Sequence, residues 1–208
     1  MNIVFSSDKK EYNTIKKGTE ILLAENDGFN QNIELSVEFQ DRPEILINKR
    51  NNQIHIICRE ISHYYRALNY AIHHMEEDEF QYREHVCFER NGLMLDCSRN
   101  AVFTVEKVKF LIKTLAKLGM NVLMLYTEDT YEVEGQPYFG AYRGKYTKDE
   151  IKELDAYASM FGVELVPCIQ TLAHLHNVLK WPGMDKIRDS ADILQPEKEE
   201  TYQFIEKL

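Results

Sequence analysis

The rhythm of apolar and polar positions changes near residue 88. Before it, residues 33–39 (IELSVEF), 44–49 (EILINK) and 53–58 (QIHIIC) alternate with a period of two, as half-buried strands do. Asp41-Arg42-Pro43 and Arg50-Asn51-Asn52 supply turns between them, and links this short favour antiparallel neighbours. From Arg59 to about Met75 the period lengthens to that of a helix. Ile61, Tyr64, Tyr65, Leu68, Ala71 and Ile72 fall on one face of it. The acidic run at 76–79 opposes the helix dipole there and favours an end. Residues 1–87 therefore read as a small α+β domain.

From Phe88 onward the pattern becomes β-α-β-α-β-α. Residues 92–96 (GLMLD), 122–125 (VLML) and 163–169 (VELVPCI) are continuous apolar runs of strand length. Val105, Val108, Leu111, Ile112, Leu115 and Leu118 recur at helical spacing before Gly119. Thr147-Lys148-Asp149-Glu150 is a capping-box signature, opening a helix that buries Ile151, Leu154, Ala158 and Phe161 and closes at Gly162. A third helix begins after Pro196, carries Tyr202, Phe204, Ile205 and Leu208, and meets no stop signal.

Apolar strands alternating with amphipathic helices predict a parallel sheet covered on its faces. The expected fold class is α/β. Three βα units are too few to close a barrel of eight, which leaves two options for residues 88–208: a small open α/β domain, or the first three βα units of a (β/α)8 (TIM) barrel that is incomplete, truncated before a fourth strand.

Composition narrows the function. The 208 residues carry a net charge of -9, which leaves no basic stripe for nucleic acid. The apolar runs are too short to span a membrane, and the first residues lack the pattern of a secretory signal. The four cysteines are scattered, which suits buried reduced thiols and a cytoplasmic location.

Polar groups just past the ends of parallel strands form binding sites. Three strand ends qualify here. Asp96 and Arg99 follow the first, and a guanidinium offers a rigid fork of donors for vicinal hydroxyls or a carboxylate. Glu128 and Asp129 follow the second; as neighbours on an extended chain, at most one of them points into a site. His174 and His176 follow the third; the pair has the spacing of an H-x-H metal site, but His174 is better suited to orienting or relaying a proton. The tyrosine-rich connection 126–147 and the single tryptophan, Trp181, supply aromatic faces on which sugar rings stack.

GLMLDCSRN (92–100), LYTEDTYE (125–132) and IQTLAHLHNVLKWP (169–182) together resemble the family 20 glycoside hydrolases, the β-N-acetylhexosaminidases, in their bacterial intracellular branch. The resemblance implies that Arg99 holds hydroxyls of a terminal N-acetylhexosamine, and that Asp129 and His174 form a buried supporting relay. Asp96, Glu128 and Trp181 are the other expected substrate contacts. Residues 1–87 look like the accessory domain that precedes this barrel. In the family, the acetamido oxygen of the substrate attacks the anomeric carbon, and an adjacent Asp–Glu pair after the fourth strand orients it and supplies the acid. That pair lies beyond this chain.

The expectation is thus a retaining exo-β-N-acetylhexosaminidase whose first 208 residues are inactive alone. It uses no cofactor or metal and takes N-acetylhexosamine-containing glycans as partners. Open apolar edges favour self-association, with a homodimer as one form. Two departures from the family pattern stand out: Met124, Leu125 and Tyr126 replace a histidine-rich strand, and Leu172-Ala173 replaces Pro-Gly before the relay histidine. Two rivals are a metal-dependent barrel hydrolase, with Asp96, Asp129, His174 and His176 as ligands, and a non-catalytic sugar-binding module.

Overall fold

A computed structural model describes residues 2–5, 9–25 and 32–208. Their contacts form two compact units, each interrupted in sequence. The first holds residues 1–92 with 109–122 and 156–164. Its strands are β1 (Asn2–Phe5), β2 (Asn32–Phe39), β3 (Glu44–Arg50), β4 (Gln53–Cys58) and β5 (Glu79–His85), in the order β1-β2-β4-β3-β5. Helices α1 (Lys9–Ala24) and α2 (Ile61–His73) accompany them.

β3 and β4 form the expected antiparallel hairpin, with Asn51 at φ +50 in its turn. The expected pairing of β2 with β3 does not occur. β4 lies between them and runs parallel to β2, so the short link at 40–43 steps across one strand position. The reason is burial: Ile54, Ile56 and Cys58 are all nearly inaccessible, and the central place shields this most apolar strand on both edges.

Helix α2 buries the face anticipated for it, with Tyr64, Tyr65, Leu68, Ala71 and Ile72 in the core. Tyr70 stacks on Tyr82 of β5 at 3.9 Å between ring centroids. Neither α1 nor β5 was anticipated. On β5, half-buried Phe80, Tyr82 and Glu84 alternate with exposed Gln81, Arg83 and His85, as befits a charged edge strand.

The second unit, residues 93–108, 123–155 and 165–208, centres on β6 (Gly92–Asp96), β7 (Val122–Tyr126) and β8 (Glu164–Cys168), with β7 in the middle. Backbone bonds run from Val122 N to Asn91 O and from Glu164 N to Asn121 O at the starts of the strands. At the ends they run from Cys97 N to Tyr126 O and from Thr127 N to Cys168 O. This matched order at both ends makes the three strands parallel.

Helices α3 (Val105–Lys117) and α4 (Lys148–Met160) link the strands. Gly119 and Gly162, at φ +75 and +67, follow them as C-terminal stops. The capping box forms as read: Glu150 accepts from Thr147 N at 2.8 Å, and Thr147 Oγ1 accepts from Glu150 N at 3.2 Å. Two short helices follow, α5 (His176–Leu179) and α6 (Glu199–Ile205). A second core joins Phe139, Leu175, Val178, Leu179, Leu194 and Phe204, so the connections after β7 and β8 are packed rather than loose.

The cysteines form no disulfide, and no helix among the described residues is long and apolar enough to cross a membrane.

Candidate functional site

β6 delivers Asp96 to the end of the sheet, and the chain then folds around its carboxylate. Oδ1 accepts from Ser98 N at 2.9 Å, Ser98 Oγ at 2.8 Å and Arg99 N at 3.2 Å. Oδ2 accepts from Arg99 Nη1 at 3.3 Å. Partial burial opposes the charge on Asp96. The bonds from Ser98 and then Arg99 outweigh it and hold the carboxyl below its ordinary range. Asp96 thus shapes the turn and aims Arg99. The Arg99 side chain is 63% exposed and lies 5.2 Å from the centroid of the Tyr126 ring.

After β7 the chain turns sharply at Glu128, at φ +50. Gln170 Oε1 holds this turn by accepting from Glu128 N at 2.7 Å, and Tyr126 OH donates to Glu128 Oε1 at 3.4 Å. Asp129 faces inward, 1% exposed, and accepts from the guanidinium of Arg143. The loop carrying Arg143 closes over Asp129 because Gly140, at φ +66, lets the backbones meet. A Cβ there would stand 2.3 Å from the Asp129 carbonyl oxygen.

These groups surround a cleft of about 550 Å³. Arg99, Glu128, Arg143, Lys180 and Trp181 line it, with Tyr142 at its wall. Trp181 stacks on Tyr138 at 5.1 Å, and the Lys180 ammonium lies 5.5 Å from the indole centroid. The structure thus brings Arg99, Glu128 and Trp181 to one cleft. Asp96 and Asp129 neutralise the two arginines.

His174 is placed differently. It is exposed, sits at φ +61 just before α5, and makes no hydrogen bond to Asp129 among the described residues. The relay implied by the resemblance is not formed in this arrangement, where Asp129 Oδ1 accepts from Arg143 instead. His176 N donates to Asp192 Oδ1 at 3.0 Å. Among the described residues no three His, Cys, Asp or Glu side chains gather as a metal site, so the four ligands of the metal-hydrolase rival are not grouped.

Arg143, Lys180 and Tyr142 were not anticipated. One signal does mark the region. Of the four non-glycine residues at positive φ among the described residues, Glu128, Tyr142 and His174 all lie past the ends of β7 and β8. Strained backbone of this kind concentrates where function holds it. In chemical terms, the cleft offers guanidinium donors, one carboxylate and an aromatic wall, a set suited to a polyhydroxylated ring.

The model of the glycosyl hydrolase family 20 catalytic domain matches residues 88–208. Hexosaminidase D of Bos taurus is 31% identical over 91 residues, covering 42% of this chain and 26% of that protein. A beta-hexosaminidase of Vibrio furnissii is 30% identical over 118 residues, covering 45% of this chain and 19% of that protein. The chain thus spans only about a quarter or less of the length of these relatives.

Among solved structures, an exo beta-N-acetylglucosaminidase of Vibrio harveyi in complex with N-acetylglucosamine superposes with a TM-score of 0.77 at 18% identity. It covers 99% of this chain and 40% of that one. A family 20 beta-N-acetylhexosaminidase of Streptomyces coelicolor A3(2) gives 0.76 at 18% identity, over 100% of this chain and 51% of that one. Likeness at this identity establishes the mixed α/β fold.

Proposed function

The chain belongs to glycosyl hydrolase family 20, and from this premise we propose that its cleft grips the terminal N-acetylhexosamine of a glycan for a retaining exo-β-N-acetylhexosaminidase. Residues 88–208 then supply the first three βα units of a TIM barrel, and residues 1–87 an accessory domain. The observation that carries the reading is Arg99, clamped by Asp96 at the mouth of a cleft shared with Glu128 and Trp181.

In this reading Arg99 donates to the sugar hydroxyls, and Trp181 packs against the ring's C–H face. The acetamido oxygen of the substrate attacks the anomeric carbon as the glycosidic bond breaks, so no protein nucleophile is required. A general acid must protonate the departing oxygen. We assign that acid, and the carboxylate that orients the acetamido group, to an Asp–Glu pair outside these 208 residues. His174 enters as the relay partner of Asp129, which requires it to turn inward and replace Arg143.

Lacking the acid forfeits about 10²–10⁴ of rate. Purified as 208 residues, the chain should bind N-acetylglucosamine yet release no nitrophenol from a chromogenic N-acetylglucosaminide. Turnover would refute the inactivity. Failure of Arg99→Met to weaken sugar binding would refute the site.

A further inference from the structure

We propose that the polar face of the five-stranded sheet carries a second binding site, for a small acidic sugar whose carboxylate lies against Arg50, Asn48 and His55.

Along β2, β3 and β4 one set of alternate side chains is buried: Leu35 and Val37, Ile45 and Ile47, Ile54 and Ile56. The other set therefore shares the opposite face. Register fixes the neighbours there. Glu34 stands beside Gln53 and Gln53 beside Arg50, while Ser36 stands beside His55 and His55 beside Asn48. These two rows line a cleft of about 230 Å³. Strand pairing within the first unit sets this grouping, and no residue of the βα units takes part in it.

Two bonds hold the cleft in shape. Gln53 Nε2 donates to Glu34 Oε2 at 2.8 Å, and Ser36 Oγ lies 2.7 Å from His55 Nδ1. The hydroxyl serves His55 in either charge state. It donates to Nδ1 of the neutral ring. With the protonated ring it accepts from Nδ1 and donates to Ile54 O at 3.4 Å. In both states Nε2 carries an N–H and is a donor. The guanidinium of Arg50 forms no ion pair, and the side-chain amide of Asn48 no hydrogen bond, among the described residues. Asn is depleted from strands, so local structure does not explain Asn48 in the middle of β3. Three donors without protein partners thus line one cleft, the set that a carboxylate takes up, with the arginine fork as its main anchor. Glu34 decides the rest of the ligand. A bare anion would meet its charge, whereas a ligand that also carries hydroxyls offers it a donor. A sugar acid holds both groups on one ring. The cleft is smaller than those that enclose drug-sized molecules, which suits a single ring.

The 208-residue chain is titrated calorimetrically with D-glucuronate, glucose and acetate. Glucuronate should bind, and the other two at least about tenfold more weakly, since glucose lacks the anion and acetate lacks the hydroxyls. Arg50→Met should weaken glucuronate binding about tenfold or more, the scale of a lost charge-assisted hydrogen bond, and leave N-acetylglucosamine affinity unchanged. Arg99→Met should do the reverse. Asn48→Ala is an independent probe of the same donors and should weaken glucuronate about fivefold. A wild-type chain that does not bind glucuronate overturns the site, as does one that binds glucose or acetate equally well. Glucuronate binding lost in Arg99→Met but kept in Arg50→Met also overturns it. Loss of N-acetylglucosamine binding alone tells against the strand-end cleft only, because the two sites share no residue.

Discussion

The guanidinium of Arg143 donates to the carboxylate of Asp129, a residue with 1% of its surface exposed, across 14 positions of irregular chain. A charge buried to this degree depends on its partner. Arg143→Met strands the carboxylate and should lower unfolding stability by about 3 kcal/mol, read from urea denaturation. Adding Asp129→Asn to that variant removes the stranded charge and should recover part of the loss. If the two substitutions instead add independently, the pair does not hold the loop.

A different carboxylate holds Arg99. Asp96→Ala removes the acceptor that shapes its turn, and affinity for N-acetylglucosamine should fall about tenfold, the scale of one charge-assisted hydrogen bond. The pH dependence follows from the sign of the Asp96 shift. Its carboxyl is lowered in the folded chain, so the clamp contributes fully above the ordinary carboxylate range and is lost as pH falls through the folded value. Sugar affinity should therefore stay flat from pH 8 to about 5 and decline only below about 4. A decline centred near neutrality would point to another group.

The parts of this structure that were legible from sequence are those encoded by period and punctuation. Two-residue alternation marked β2, β3 and β4, and helical spacing ending at Gly119 and Gly162 marked α3 and α4. Helix α1 escaped because its buried Ile15 and Leu22 are set among lysines and polar residues. Strand β5 escaped because charges occupy much of its length. Pairing of β2 with β4 escaped because link length favours a hairpin, whereas burial decides the strand order. At the site, Asp96 and Arg99 were legible together because three residues separate them. Arg143 was not, since only a folded loop brings it to Asp129. The orientation of His174 depends on its positive φ, which no local pattern announces.

His63 should make the first unit sensitive to mild acid. It is 3% exposed on α2, and its Nδ1 has no hydrogen-bond partner among the described residues. Burial holds its pKa below the ordinary imidazole value, partly countered by Glu60. The unfolded chain therefore takes up a proton at a higher pH than the folded one. Stability should fall as pH drops below about 6.5, by at most about 1.4 kcal/mol per pH unit. His63→Leu should flatten the urea midpoint between pH 7 and 5 relative to wild type. Equal slopes for the two proteins would assign the sensitivity to another histidine.

Strand β6 lies at one edge of the three-stranded sheet, with Leu93 40% and Met94 53% exposed. An apolar edge strand has unpaired backbone groups beside side chains that gain by leaving water, which together template pairing with another chain. We therefore expect the purified 208-residue chain to associate with itself as concentration rises, in sedimentation velocity. Met94→Lys places a charge on that edge, where it must be desolvated for a second copy to approach, and should shift the distribution toward monomer. The exposed position of Met94 means the substitution should leave thermal stability within about 0.5 kcal/mol of wild type. A wild-type chain that sediments as a single monomer at every concentration would show that the edge recruits no partner copy.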